Sequence, residues 1–182
     1  AYLQDIVGTF GQDKRIIIWD LYNEPGHGGK YIDFVKNVFA WAREMKPAQP
    51  ITIGVWTAST GRLNRALLSS SDLVSFHEYA IPDSMKKSVA SYQKHGRPLL
   101  CTEWLHRQSG NMPENCFPIF DEYKVGIYNW GLVEGRTQTY FHWGSRKDTP
   151  MPEIWQHDLI RKNGKPYKEA EYHLFRKYAG KE

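Results

Sequence analysis

Two glutamates, Glu24 and Glu103, each stand at the end of a run of β-branched and aromatic residues, where a buried strand would hand its last side chains to solvent. Glu24 follows Ile16-Ile17-Ile18-Trp19-Asp20-Leu21-Tyr22-Asn23 and precedes Pro25; Glu103 follows Pro98-Leu99-Leu100-Cys101-Thr102 and precedes Trp104. Paired carboxyls across a sugar-binding cleft can cleave a glycosidic bond, one staying protonated to serve the leaving oxygen and the other ionised to attack the anomeric carbon. That division requires surroundings that push their pKa values apart. An Asn-Glu pair alone is more often a polar strand terminus that merely starts a loop. What else ends in the same place therefore decides.

Stepping along the chain, helical spacing of Leu3, Ile6, Val7 and Phe10 predicts a helix closed by Gly11. The strand Ile16 to Tyr22 follows, expected to be buried on both faces, and Gly26-His27-Gly28-Gly29 then predicts a flexible link. A long helix is expected from about Lys30 to Lys46, ending before Pro47. Four more strands are expected at Ile51 to Trp56, Asp72 to Tyr79, Pro98 to Trp104 and Gly126 to Gly131. Between them fall a polar turn after Trp56, a short helix through Leu63 and Leu67, and helices over Pro82 to His95 and Pro113 to Lys124. Leu132 to Asp158 reads as a long loop, and a last helix spans about Pro166 to Tyr178.

Strand alternating with helix argues for parallel strands joined by right-handed crossovers, in an open doubly wound sheet or a (β/α) barrel. No glycine-rich phosphate loop follows any strand, which weakens the nucleotide-binding sheet. Barrel enzymes collect catalytic residues at the C-terminal ends of several strands. Here those ends read Asn23-Glu24, Trp56, His77-Glu78-Tyr79, Glu103-Trp104 and Trp130.

With 41% hydrophobic residues in 182, the chain can form a core and is too ordinary in composition for disorder. No run reaches a membrane span, and a net charge of +4 without a nucleic-acid motif argues against nucleic acid. Ala1 to Asp5 show no charged segment leading into an apolar one, so the compartment stays open, secretion or the periplasm remaining compatible. Cys101 and Cys116 form neither a disulfide framework nor a zinc pattern, and none of the seven His, including His27, His106, His142 and His157, has metal-ligand spacing. No cofactor is expected.

Trp-Asp-Leu-Tyr-Asn-Glu-Pro (19–25), His77-x-Tyr79, Leu100 to Trp104 and Tyr128-Asn129-Trp130-Gly131-Leu132-Val133 together resemble the clan of retaining (β/α)8 glycoside hydrolases. The likeness is to family 5 cellulase-like enzymes, with the barrel domain of family 2 β-galactosidase-type enzymes as a near neighbour. The resemblance implies Glu24 as general acid/base, Glu103 as nucleophile, Asn23 on the sugar 2-hydroxyl and Tyr79 donating to Glu103. It also implies His77 on the same wall and Trp130 as the ring platform. Plain barrel-mouth packing is the rival for Tyr79 and His77; Trp56, Trp104 and Trp143 are expected in wall or core, and Glu78, Glu134 and Glu153 in structural or solvated positions.

A (β/α)8 barrel takes about 250 residues and rarely fewer than about 200. Mapped onto the resembling family, residues 1–182 correspond to the C-terminal portion of a catalytic barrel, strands four to eight only, with strands one to three absent. The expectation is a truncated product, impaired alone, with unpaired edges at its first and last strands and the missing N-terminal half as a partner besides the carbohydrate substrate. A carbohydrate-binding module or pseudo-enzyme without turnover is the alternative.

Overall fold

The structure is a computed structural model, described over residues 2–26, 29–56 and 61–181. His27 and Gly28 of the expected flexible link and the polar turn at 57–60 lie outside the described residues. The chain divides into two compact units, residues 1–77 with 91–100, and residues 78–90 with 101–182.

In the first unit, α1 (Tyr2–Phe10) and α2 (Ile32–Glu44) pack against one another, and β1 (Trp19–Asp20) and β2 (Ile51–Thr52) form a short parallel pair. Val7, Val35, Phe39, Ala42, Ile51 and Ile53 form this core. The register sets Trp19 opposite Ile51 and Asp20 opposite Thr52. β1 is shorter than the hydrophobic run and is not buried on both faces: Ile17 is 64% exposed, and Asp20 is open on one side although its carboxylate turns inward onto Gly54 and Ser75. The reason lies in the partner. β2 begins only after Pro50, which has no N–H to give, so the ladder starts with Trp19 donating to the Pro50 carbonyl and ends with Leu21 donating to Thr52. Among the described residues β1 pairs with β2 alone, so one edge has no strand beside it.

β2 stops early because the Gly54 N–H turns to the Asp20 carboxylate at 3.1 Å instead of continuing the ladder. Val55 then bridges Phe76 in parallel. The short helix α3 (Arg62–Ser70) buries Leu63 and Leu67 and leads to β3 (Val74–His77), all four residues of which are buried. Asp72, expected in that strand, instead ties its start, accepting from the Ile51 N–H at 2.9 Å and from Arg43 at 2.8 Å.

The second unit contains the start of α4 (Pro82–Gln93), the end of β4 (Leu99–Glu103), α5 (Pro113–Glu122), β5 (Gly126–Ile127) and α6 (Glu169–Tyr178). β5 joins β4 through the Tyr128 N–H to the Cys101 carbonyl. Trp104, fully buried, is the centre of an aromatic core with Phe117, Phe120 and Phe175 at ring distances of 5.1–5.9 Å. Burying one such ring is worth about 4–6 kcal/mol of gross transfer free energy. Cys101 and Cys116 are both free and buried; desolvation raises the Cys101 thiol well above its ordinary value and pushes Cys116 up to about 12, so both act as small apolar groups. From Leu132 to Asp158 the chain forms turns with no helix or strand, as its sequence predicts. α6 starts three residues late because Pro166 forms an antiparallel bridge with Ile160. No helix among the described residues is long and apolar enough to cross a membrane.

Candidate active site

Glu24 sits in the first unit, a few residues beyond β1, with its own backbone at φ 42°. Such a left-handed angle is uncommon for a residue with a Cβ and is tolerated where the surroundings hold it. One holder is evident. His77, last residue of β3 and only 3% exposed, places Nδ1 2.6 Å from the Glu24 carboxylate. That contact fixes the carboxylate of Glu24 against the buried ring.

Behind the imidazole lies Gly54. A Cβ there would come 3.2 Å from His77 Nε2 and 3.4 Å from Asp20 Oδ2, so a side chain would press on both. Asp20 accepts from Gly54 N–H and, at 3.2 Å, from the Ser75 hydroxyl. Desolvation nonetheless dominates and raises its carboxyl above the usual range, against the pull of those donors and of His77. Asn23 is exposed, free of the core, and Pro25 is buried behind it. The sequence singled out Glu24, His77 and Asn23; it missed Asp20 and Gly54, because a strand carboxylate and a glycine at a strand end are unremarkable until their neighbours are known.

In the second unit Glu103 is the last residue of β4, 8% exposed, and accepts a 2.8 Å hydrogen bond from the Tyr79 hydroxyl. A donor on the carboxylate favours its charged form and fixes its rotamer. The backbone around this pair is tied twice. Glu78 N–H donates to the Glu103 carbonyl, and the buried Asn111 amide donates to the carbonyls of Glu78 and Ala80 while its oxygen accepts from Leu105 N–H at 2.9 Å. Leu105 is itself left-handed at φ 74°, the residue that turns the chain away after Trp104.

Arg107 then locks this turn. Its buried guanidinium forms a bidentate pair with Glu171 of α6, with a closest approach of 2.6 Å, and donates to the carbonyls of Trp155 and Asp158. Tyr79 is flanked by Trp143, edge-on at 4.9 Å, and by His157 at 5.5 Å. His106 lies 4.9 Å from Trp143 and 5.5 Å from His142. His157 is neutral: desolvation holds it down at about 4, with Nδ1–H donating to the Leu105 carbonyl and Nε2 accepting from Gln156. Desolvation, followed by the charge of His142, also lowers His106.

Trp130, expected as the ring platform, is 44% exposed beyond β5. Its neighbour Gly131 has φ 89°, and a Cβ there would fall 2.5 Å from Asp158 Oδ1, so only glycine fits. Trp104 is core and Trp143, though 60% exposed, stands in the wall around Tyr79, both within the expectation; Trp56 is 42% exposed. Glu78 is structural, its carboxylate accepting from the Ala80 N–H, Glu134 accepts from the Lys162 N–H and Glu153 is exposed. The histidine and tryptophan wall around Tyr79 was invisible in the sequence because its members come from separate loops.

A family model described as cellulase (glycosyl hydrolase family 5) matches residues 1–145. A β-galactosidase of Vibrio vulnificus strain CMCP6 is 27% identical over 141 residues, which cover 74% of the chain and 13% of that protein. One from Photobacterium profundum is likewise 27% identical over 141 residues. The chain thus spans only 13% of the length of these relatives. Among solved structures, xylanase 10B from Thermotoga maritima superposes with a TM-score of 0.64 at 18% identity, over 100% of this chain and 66% of that one. A β-D-glucuronidase of Dictyoglomus thermophilum gives 0.70 at 14% identity, over 97% and 34%. At such identities the likeness is one of fold: part of a (β/α)8 barrel.

Proposed function

Because the chain belongs to the cellulase family, glycosyl hydrolase family 5, we propose that it hydrolyses O-glycosidic bonds of a β-linked oligo- or polysaccharide by a two-glutamate double displacement. Glu103 attacks the anomeric carbon as the bond to the leaving oxygen breaks, and Glu24 gives that oxygen its proton. Water then attacks the glycosyl-enzyme ester, Glu24 takes the water's proton, and the sugar leaves with Glu103 restored as a carboxylate. Asn23 binds the 2-hydroxyl, where the contact strengthens as positive charge develops on the ring, and Trp130 carries the ring's apolar face.

The observation that carries this reading is the unlike support of the two glutamates. Glu103 has a hydroxyl donor on its carboxylate, from Tyr79 at 2.8 Å, which suits an ionised nucleophile. Glu24 has an imidazole nitrogen at 2.6 Å, which can return or accept a proton and suits a group that changes protonation twice per cycle. His77 and Tyr79 are positioning residues here.

The test is turnover of an activated aryl β-glycoside by the chain and by its Glu103→Gly variant. Wild-type turnover that the substitution abolishes and added azide partly restores supports Glu103 as the nucleophile. A wild-type chain that binds sugar but never cleaves the activated substrate is a binding module, and the proposal fails.

A further inference from the structure

The long segment after β5 lines a half-open surface cleft that none of the proposed catalytic roles uses. Its volume is about 360 Å³, and it is lined by Gln138, Phe141, His142, Ser145, Arg146 and Lys147. Cavities that hold small molecules run from about 300 Å³ upward. The walls are tied by the segment's own turns: Phe141 N–H donates to the Gln138 carbonyl, Ser145 N–H to that of His142, and Arg146 N–H to the Thr149 hydroxyl at 2.8 Å.

Charge in this cavity is one-sided. Arg146 and Lys147 line it, and among the described residues no carboxylate does. Neither Arg146 nor Lys147 has a carboxylate within 4 Å among the described residues, so both charges are available to a bound anion. Two unpaired cations alone would suit any anion. The Gln138 amide and Ser145 hydroxyl add groups that can both give and accept hydrogen bonds, as sugar hydroxyls require, and the Phe141 ring adds an apolar face. A chain of ring contacts within this unit leads from the cavity to the proposed nucleophile: His142 touches His106, His106 touches Trp143, Trp143 meets Tyr79 edge-on, and Tyr79 holds Glu103.

We infer that this cavity is an accessory subsite for a carboxylate-bearing sugar unit, a uronic acid residue or branch of the saccharide. The carboxylate is recognised by the Arg146 and Lys147 cations and the hydroxyls by Gln138 and Ser145. The inference takes the saccharide from the proposed function and the negative charge from the cavity.

The experiment titrates the full 182-residue chain calorimetrically with methyl β-glucuronide, methyl β-glucoside and inorganic phosphate, alongside the Arg146→Ala/Lys147→Ala variant. Hydrolysis of an uncharged aryl β-glycoside is measured in parallel. The glucuronide should bind at least about tenfold tighter than the glucoside, the size of one charge-assisted hydrogen bond lost or gained. Added salt and the double substitution should each erode that preference, while the variant's hydrolysis of the uncharged substrate stays unchanged. No preference in the wild type, or one that survives the double substitution, overturns the inference. Phosphate binding as tight as the glucuronide overturns it as well, marking a plain anion site. A chain inert toward the aryl glycoside that still prefers the glucuronide would sink the proposed function and leave the subsite standing.

Discussion

The two glutamates are supported in opposite ways, one in each unit. Glu24 rides on an irregular tip beyond a two-residue strand, with a left-handed backbone and a histidine as its evident anchor. Glu103 ends a five-residue strand, is nearly buried, and stands beside a turn fixed by Asn111, Arg107 and Glu171. A group that must exchange protons gains from access and from a titratable neighbour; a nucleophile gains from a fixed carboxylate. The difference in scaffolding parallels the difference in proposed roles.

The sharpest way to break this comparison is Glu24→Gln. If Glu24 only supplies a proton, substrates with a poor leaving group should lose about 10²–10⁴-fold in kcat/KM. An aryl glycoside whose leaving group departs without protonation should lose far less in its first step, visible as a burst. Glu103→Gly, by contrast, should fail with both. Equal losses for both substrates in Glu24→Gln would show that the labour is not divided as proposed.

How much of this was readable beforehand follows from which residues act through neighbours in sequence and which through neighbours in space. The strand-and-helix alternation was legible, since period and breakers are local: α1 runs from Tyr2 to Phe10 as its apolar spacing predicts. Strand lengths were not, because Pro50, Gly54 and Asp72 end or replace ladder bonds in ways that only the partner reveals. The motif positions Glu24, His77, Tyr79 and Glu103 could be picked out, but the pairings of His77 with Glu24 and Tyr79 with Glu103 required geometry. Arg107 was hidden altogether: a lone arginine after a strand gives no hint of a glutamate far along the chain.

That arginine gives the next test. Arg107→Ala would leave the buried Glu171 carboxylate with only the more distant Lys168, at 3.4 Å, and free two carbonyls, a loss of up to about 3–5 kcal/mol of stability. The matching change in the first unit, Arg15→Ala, removes a partner from an exposed pair with Asp13 and should scarcely move the urea midpoint. Equal shifts in the two variants would mean that the turn after β4 is not the rigid support described.

The smallest effect concerns protons on the same side. His157 is buried and neutral, its value held at about 4 against the ordinary 6.5 by desolvation. Below about pH 6.5 the unfolded chain takes up a proton that the folded ring refuses, so stability falls as pH drops and the loss levels off below about pH 4. The whole depression sets a ceiling of about 3 kcal/mol. Asp20 and Asp158 act with the opposite sign: desolvation raises both carboxyls, so their contribution is present at low pH and lost as pH rises through their folded values, which partly offsets the His157 term in acid. His157→Gln keeps a side chain that can donate to the Leu105 carbonyl but does not titrate. Urea midpoints should therefore put the variant below wild type near about pH 7.5 and close the gap near about pH 4.5. A gap that stays constant across that range would mean the folded ring takes up its proton as readily as the unfolded one, and that the wall beside Tyr79 is wetter than its packing implies.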